Sequence, residues 1–204
     1  MRRVFRPIGS DIPMETLLGC LIIPRPIAWV TTRSLDGVDN LAPYSYFTIS
    51  ALDPPVVQFT SIGRRNSQRI MKDSVRNVLD TREFVVCFVS EALADKANRT
   101  ATEFPSEISE FDAVGLRREP SLMVRPSRVE ESRAAIECLL YDTKRIGDDI
   151  VVFGEVLCVA VDEKIVRDGF PDPQLLDPVG RLGRGHWSTL GPEVARRVPP
   201  FRRK

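Results

Sequence analysis

Proline and glycine recur so often along this chain, sixteen and twelve times in 204 residues, that it is cut into short segments. Each proline fixes φ, removes a backbone donor and pushes the preceding residue toward extended backbone. That punctuation argues against a helical bundle. The segments between the breaks are rich in β-branched and aromatic residues and read as strands: 27–32, 56–60, 84–90, 134–143 and 150–161, with a weaker one at 45–50. The first follows Pro24-Arg25-Pro26, an extended entry, and Asp36-Gly37 after it is a turn signal. A hairpin joining the Trp29 and Phe47 regions is therefore expected.

Two helices are expected among these strands. In 73–80, Val75, Val78 and Leu79 recur at helical spacing, with Asp73 or Ser74 as N-cap. A second covers about 91–101, capped by Ser90, with Leu93, Ala94 and Ala97 turned inward. From 104 to 132 the chain is rich in Pro, Ser and Glu with little periodicity. So long a loop is expected to be functional or to wrap a second subunit. There is no internal repeat. The pattern predicts a mainly β protein, a closed antiparallel barrel with two short helices.

Length allows one domain with appendages, and 43% apolar with 28% charged residues is ordinary for a globular chain. The net charge of +1 lacks the basic excess of a nucleic-acid-binding protein. The basic cluster at the end, Arg196-Arg197 and Arg202-Arg203-Lys204, reads as a solvated tail. Cys20, Cys87, Cys138 and Cys158 form no C-x-x-C pair and read as buried, reduced thiols. With His186 the lone histidine, no metal site is expected. No apolar run reaches the roughly 18 residues of a membrane span, and no apolar segment follows Met1-Arg2-Arg3 to make a signal peptide. The expected compartment is the cytoplasm, with no membrane partner.

The common catalytic and nucleotide motifs are missing. There is no G-x-G-x-x-G after a strand, no Walker loop, no H-E-x-x-H and no G-x-S-x-G. Asp148-Asp149 after Gly147 reads as a hairpin turn rather than a carboxylate pair. What stands out is Lys72-Asp73-Ser74 at the start of a predicted helix, with Asn77 one turn on. A helix N-terminus offers unpaired N–H groups and a partial positive charge, to which Lys72 adds a full charge and Ser74 a hydroxyl. Either a phosphate sits there, or Lys72 is a solvated lysine beside an ordinary cap.

In order and spacing, several stretches together resemble the flavin-reductase-like FMN-binding proteins. They are Pro24-Arg25-Pro26-Ile27-Ala28-Trp29-Val30-Thr31-Thr32, Asn40-Leu41-Ala42-Pro43-Tyr44-Ser45-Tyr46-Phe47, Asp53-Pro54-Pro55, Lys72-Asp73-Ser74 with Asn77, Glu83-Phe84-Val85-Val86, Pro120-Ser121, Glu137-Cys138, Gly154-Glu155-Val156 and Pro178-Val179-Gly180-Arg181-Leu182-Gly183. The resemblance covers about residues 17 to 187. It implies a domain over 17–190, between an N-terminal extension (1–16) and a basic tail (191–204).

That resemblance implies a six-stranded Greek-key antiparallel split barrel and a homodimer with FMN at the subunit interface. Carried over, Thr31 and Thr32 border the flavin, Ser45 and Tyr46 offer backbone groups to the isoalloxazine edge, and Ser61, Lys72, Ser74 and Asn77 hold the phosphate. The implied activity is hydride transfer from NAD(P)H to flavin, with no proton-transfer residue required. Such a reductase can feed a separate flavin-dependent monooxygenase; the alternative is a flavoredoxin-like FMN carrier reduced by a protein partner. Cys87, Ala160, Arg184 and Trp187 depart from the family pattern. Trp187 either stacks on a ring system or packs as an ordinary aromatic.

Overall fold

A computed structural model describes residues 2–63 and 71–192 of the chain. The basic clusters at 196–197 and 202–204 lie outside the described residues. Seven strands carry the fold: β1 (Ala28–Arg33), β2 (Asp39–Tyr44), β3 (Phe47–Leu52), β4 (Pro55–Ser61), β5 (Glu83–Phe88), β6 (Ala134–Ile146) and β7 (Asp149–Val161). They form one antiparallel sheet in the order β2-β1-β5-β6-β7-β4-β3. Helices α1 (Met14–Leu21), α2 (Asp73–Thr81), α3 (Ala94–Arg99), α4 (Glu110–Val114) and α5 (Pro173–Leu176) are all short.

The result is a mainly β split barrel, with seven strands in the main ladder where six were read. The extra one is β2. The hairpin after Asp36-Gly37 pairs β1 with β2, Trp29 opposite Pro43, whereas Phe47 pairs with Phe59 of β4. The expectation of a closed barrel is corrected: among the described residues no ladder joins the two ends of the sheet, β2 and β3. Pro43 suits such an edge, since it has no N–H to give to a further strand.

Alternation along β1 explains why its sequence is apolar throughout. Ile27 and Trp29 face one buried cluster with Leu41, Val85 and Phe111. Ala28 and Val30 face another with Phe59, Val75, Val78 and Phe84. A strand buried on both faces needs no polar side, so a run of apolar residues replaces the usual alternation. Both clusters exclude water from the sheet, and α2 packs Val75 and Val78 into the second.

The 104–132 segment is not the open loop expected. It contains α4 and a short ladder between Arg118–Glu119 and Arg128–Val129, and it buries Phe111, Val114, Leu116 and Val129 in the first cluster. Its polar composition hides widely spaced apolar anchors. Glu137, fully buried on β6, accepts the Leu122 N–H (3.0 Å) and the Met123 N–H (2.7 Å) and ties this segment to the sheet. The expected helix over 91–101 begins as a 3-10 turn (Glu91–Leu93) before α3. The Gly147-Asp148 turn joins β6 to β7, as read from the sequence.

The four cysteines are free; Cys87 and Cys138 are buried, Cys20 and Cys158 half-buried. Among the described residues no cluster could hold a metal, and no helix is long and apolar enough to cross a membrane.

Candidate functional site

Thr31 and Thr32 are adjacent on β1, so their side chains leave opposite faces of the sheet. The Thr31 hydroxyl donates to the Ser127 carbonyl at 2.6 Å, holding the 104–132 segment. Thr32 turns toward α2, where its Oγ1 accepts from Asn77 Nδ2 at 3.1 Å. Both threonines are fully buried.

The start of α2 borders a cleft of about 840 Å³, its open mouth included, lined by Asn40, Tyr44, Ser61, Lys72, Ser74 and Glu110 among others. Lys72 stands at the helix N-cap and holds its Nζ 5.1 Å from the centre of the Tyr44 ring. The Val75 and Arg76 N–H groups return to the Lys72 carbonyl (both 3.1 Å). The N-cap position falls on Lys72, not on Asp73 or Ser74, which the sequence suggests for it. Asp73 pairs with Arg76 at 2.8 Å.

Ser74 is bound sideways: its hydroxyl donates to Asn40 Oδ1 at 2.6 Å. Asn40 Nδ2 in turn donates to Glu110 Oε1 at 2.7 Å, and the Leu41 N–H donates to Glu110 Oε2 at 2.8 Å. Burial pushes the Glu110 carboxyl up from its ordinary pKa; the Leu41 N–H and Asn40 counter this, and Asp73 adds to it. Tyr44 is 3% exposed, and its hydroxyl has no well-formed hydrogen bond. Burial pushes its phenol up to about 12, while the nearby Ser74 and Ser61 hydroxyls act in the opposite direction. A buried hydroxyl without a partner is costly unless a ligand satisfies it.

The predicted residues thus divide. Ser61, Lys72 and Ser74 line this cleft together. Asn77 and Thr32 stand behind it, joined to each other, and Asn77 lines a neighbouring cleft with Asp73 and Glu110. Ser45 and Tyr46 form the connection between β2 and β3 and do not line the cleft; the Thr60 N–H donates to the Tyr46 carbonyl at 2.8 Å. Arg25 lies 5.5 Å over the exposed Tyr46 ring. Trp187 packs against the first core cluster, with Arg181 5.5 Å above its ring.

Asn40, Tyr44 and Glu110 were not among the expected site residues. Asn40 and Tyr44 lie within the Asn-Leu-Ala-Pro-Tyr stretch, which offered a signal. Glu110 lay in the stretch read as loop and offered none.

The polar set fits a flavin with a terminal phosphate: Lys72 and Ser74 at the start of α2 and Ser61 at the end of β4 line one cleft, beside a buried phenol without a well-formed hydrogen bond. Comparison with known proteins agrees in class. Residues 19–177 match the model of the flavin reductase like domain, and the chain belongs to that family. A protein of Aquifex aeolicus is 40% identical over 90% of this chain and 92% of its own length. Component B of nitrilotriacetate monooxygenase from Bacillus cereus superposes with a TM-score of 0.87 at 29% identity, covering 96% of this chain and 98% of the other. A Shewanella frigidimarina protein with a split barrel domain shares the fold with a TM-score of 0.80 at 24% identity, covering 91% of each chain.

Proposed function

We propose that this chain binds FMN and transfers hydride from NAD(P)H to it, as the reductase partner of a flavin-dependent monooxygenase. The observation that carries this is the convergence of Lys72, Ser61, Ser74 and the unpartnered Tyr44 phenol in one cleft, in a chain of the flavin reductase like family. The likeness to component B of a monooxygenase supports the partner. When bound, the flavin supplies the electron chemistry itself. The chain's own part is to hold a phosphate at the start of α2 and to orient the ring. Aligned reactants remove much of the entropic barrier without an acid–base residue. The lone histidine is consistent with that division: His186 is exposed and bonded to the Gly183 carbonyl.

A homodimer in the cytoplasm is part of this proposal. The 104–132 segment no longer argues for it, because that segment buries its own apolar residues. The support comes from elsewhere: α1 buries none of its residues, leaving Leu18 and Leu21 46% and 75% exposed, and β3 exposes Ile49 and Leu52 at 64% and 82%. In this proposal a second copy covers these exposed apolar residues.

Purification followed by an absorption spectrum, release of the chromophore and light scattering tests the proposal. A flavin band that yields FMN, on a particle of twice the chain mass, is expected. A colourless monomer that stays colourless with added FMN would overturn it.

A further inference from the structure

Glu110 is a carboxylate beside a cleft read as a phosphate site, and that placement needs a reason. Both its oxygens accept, from Asn40 Nδ2 and from the Leu41 N–H. An ionised carboxylate has no proton to give, so it fixes the Asn40 amide with its NH₂ toward Glu110. Asn40 Oδ1 then faces Ser74 and takes the hydroxyl proton at 2.6 Å. Held this way, Ser74 turns only lone pairs to the cleft, and a phosphate monoester dianion, the form above pH about 6, presents only oxygen acceptors.

One proton on Glu110, with the Asn40 amide turned over by rotation about its Cβ–Cγ bond, reverses the relay. The carboxyl O–H then donates to Asn40 Oδ1, Asn40 Nδ2 donates to Ser74 Oγ, and the Ser74 O–H is released toward the cleft. The Leu41 N–H keeps its acceptor on the other carboxyl oxygen, and Thr32 loses only its 3.4 Å contact with Asn40 Oδ1. The proton comes from solvent, and no covalent bond other than its own changes.

We propose that Glu110 is a positioning residue: acting through Asn40, its proton decides whether Ser74 offers a donor or lone pairs, so binding of a phosphate monoester takes up a proton there. The proposal rests on reading the cleft as the phosphate site. Burial of Glu110 and the neighbouring Asp73, which both favour its protonated form, help the uptake. The charged and titratable groups around it are Tyr44, Lys72, Asp73, Glu103 and Asp148 on the cleft side. On its other side stand Asp36, Asp39, Arg76, Asp80 and Glu107; along its own helix, Asp112 is paired with Arg118 at 2.8 Å.

Calorimetric titration of the full chain with FMN and with riboflavin, in two buffers of different ionisation enthalpy, counts the protons taken up. At pH about 8 the wild type is expected to take up more protons with FMN than with riboflavin. Glu110→Gln supplies an N–H to Asn40 Oδ1 and an oxygen to the Leu41 N–H, which locks the reversed relay. It should lose the extra uptake and bind FMN roughly tenfold more tightly, as for one charge-assisted hydrogen bond. Ser74→Ala should lose the extra uptake too. The phosphate's own ionisation, with pKa about 6, is common to all three and cancels. Equal uptake in wild type and Glu110→Gln, or none in the wild type, overturns the proposal. Uptake lost in Glu110→Gln but kept in Ser74→Ala also overturns it, because charge alone would then be acting. Should Glu110→Gln not fold, wild type against Ser74→Ala decides. A wild type that binds FMN no better than riboflavin refutes the phosphate site itself, and is told apart by that equality.

Discussion

Thr31 and Thr32, neighbours on β1, hold different parts of the molecule: Thr31 Oγ1 binds the Ser127 carbonyl on one face of the sheet, and Thr32 Oγ1 accepts from Asn77 on the other. Replacing each by valine keeps the shape and removes the hydroxyl. Thr31→Val should cost about 1–3 kcal/mol of stability, because it leaves the Ser127 carbonyl without its donor, and should leave flavin affinity unchanged. Thr32→Val should weaken FMN binding, since Thr32 shares the network that places Asn40 and Ser74. Urea unfolding and flavin titration of both variants check this; equal effects of the two on affinity would contradict it.

Replacing Lys72 and Ser74 together by alanine should weaken FMN binding on the order of a hundredfold, from one charge-assisted and one neutral hydrogen bond. Riboflavin is the control, because it lacks the phosphate and should hardly respond. Fluorescence titration with both ligands checks the outcome. Equal losses for the two would place the phosphate elsewhere.

Gly154 on β7 should not tolerate a side chain. A Cβ there would sit 2.2 Å from Phe84 Cζ and 3.0 Å from Cys138 Cβ, inside the second core cluster. Gly154→Ala is expected to destabilise the fold by about 1–3 kcal/mol through overpacking, with Gly154→Val worse. Urea midpoints measure it; an unchanged midpoint would show that Phe84 can move aside.

Stability should fall in alkali. Burial pushes the Cys87 thiol from its ordinary 9.0 up to about 12 and the Tyr44 phenol from 10.0 up to about 12. Both groups keep their proton in the folded state while the unfolded chain loses it. Their contribution is therefore complete below pH about 9 and is lost between there and about 12, at no more than about 1.4 kcal/mol per pH unit for each group. Urea midpoints from pH 8 to 11 should decline, and Cys87→Ala should decline less steeply. Identical slopes for the two proteins would contradict the assignment to Cys87.

The central strands were readable because burial on both faces leaves runs such as Phe84-Val85-Val86-Cys87 with no polar interruption. α2 was readable from Val75 and Val78, which pack inward at helical spacing. β2 escaped because its Asn-Leu-Ala-Pro-Tyr run has no β-branched residue and carries a proline that only an edge strand accepts. α1 escaped because it buries none of its residues, so no inward stripe marks it. Within the cleft, Lys72 and Ser74 could be named from their residue types and the helix start, and Ser61 only from the family resemblance. Glu110 could not, because its role follows from a contact with Asn40, seventy residues away along the chain. Direction within a strand was the other hidden quantity. Thr31 and Thr32 read as a pair in sequence, and the pleat separates them.

Electron transfer itself is tested by anaerobic stopped-flow mixing of the FMN-loaded protein with NADH and, separately, with NADPH, followed at the flavin absorption band. Rapid bleaching with at least one donor, in a single turnover, is the predicted result. A protein that holds FMN but keeps its band unchanged with both donors would contradict nicotinamide-dependent reduction and leave an electron carrier served by a protein partner.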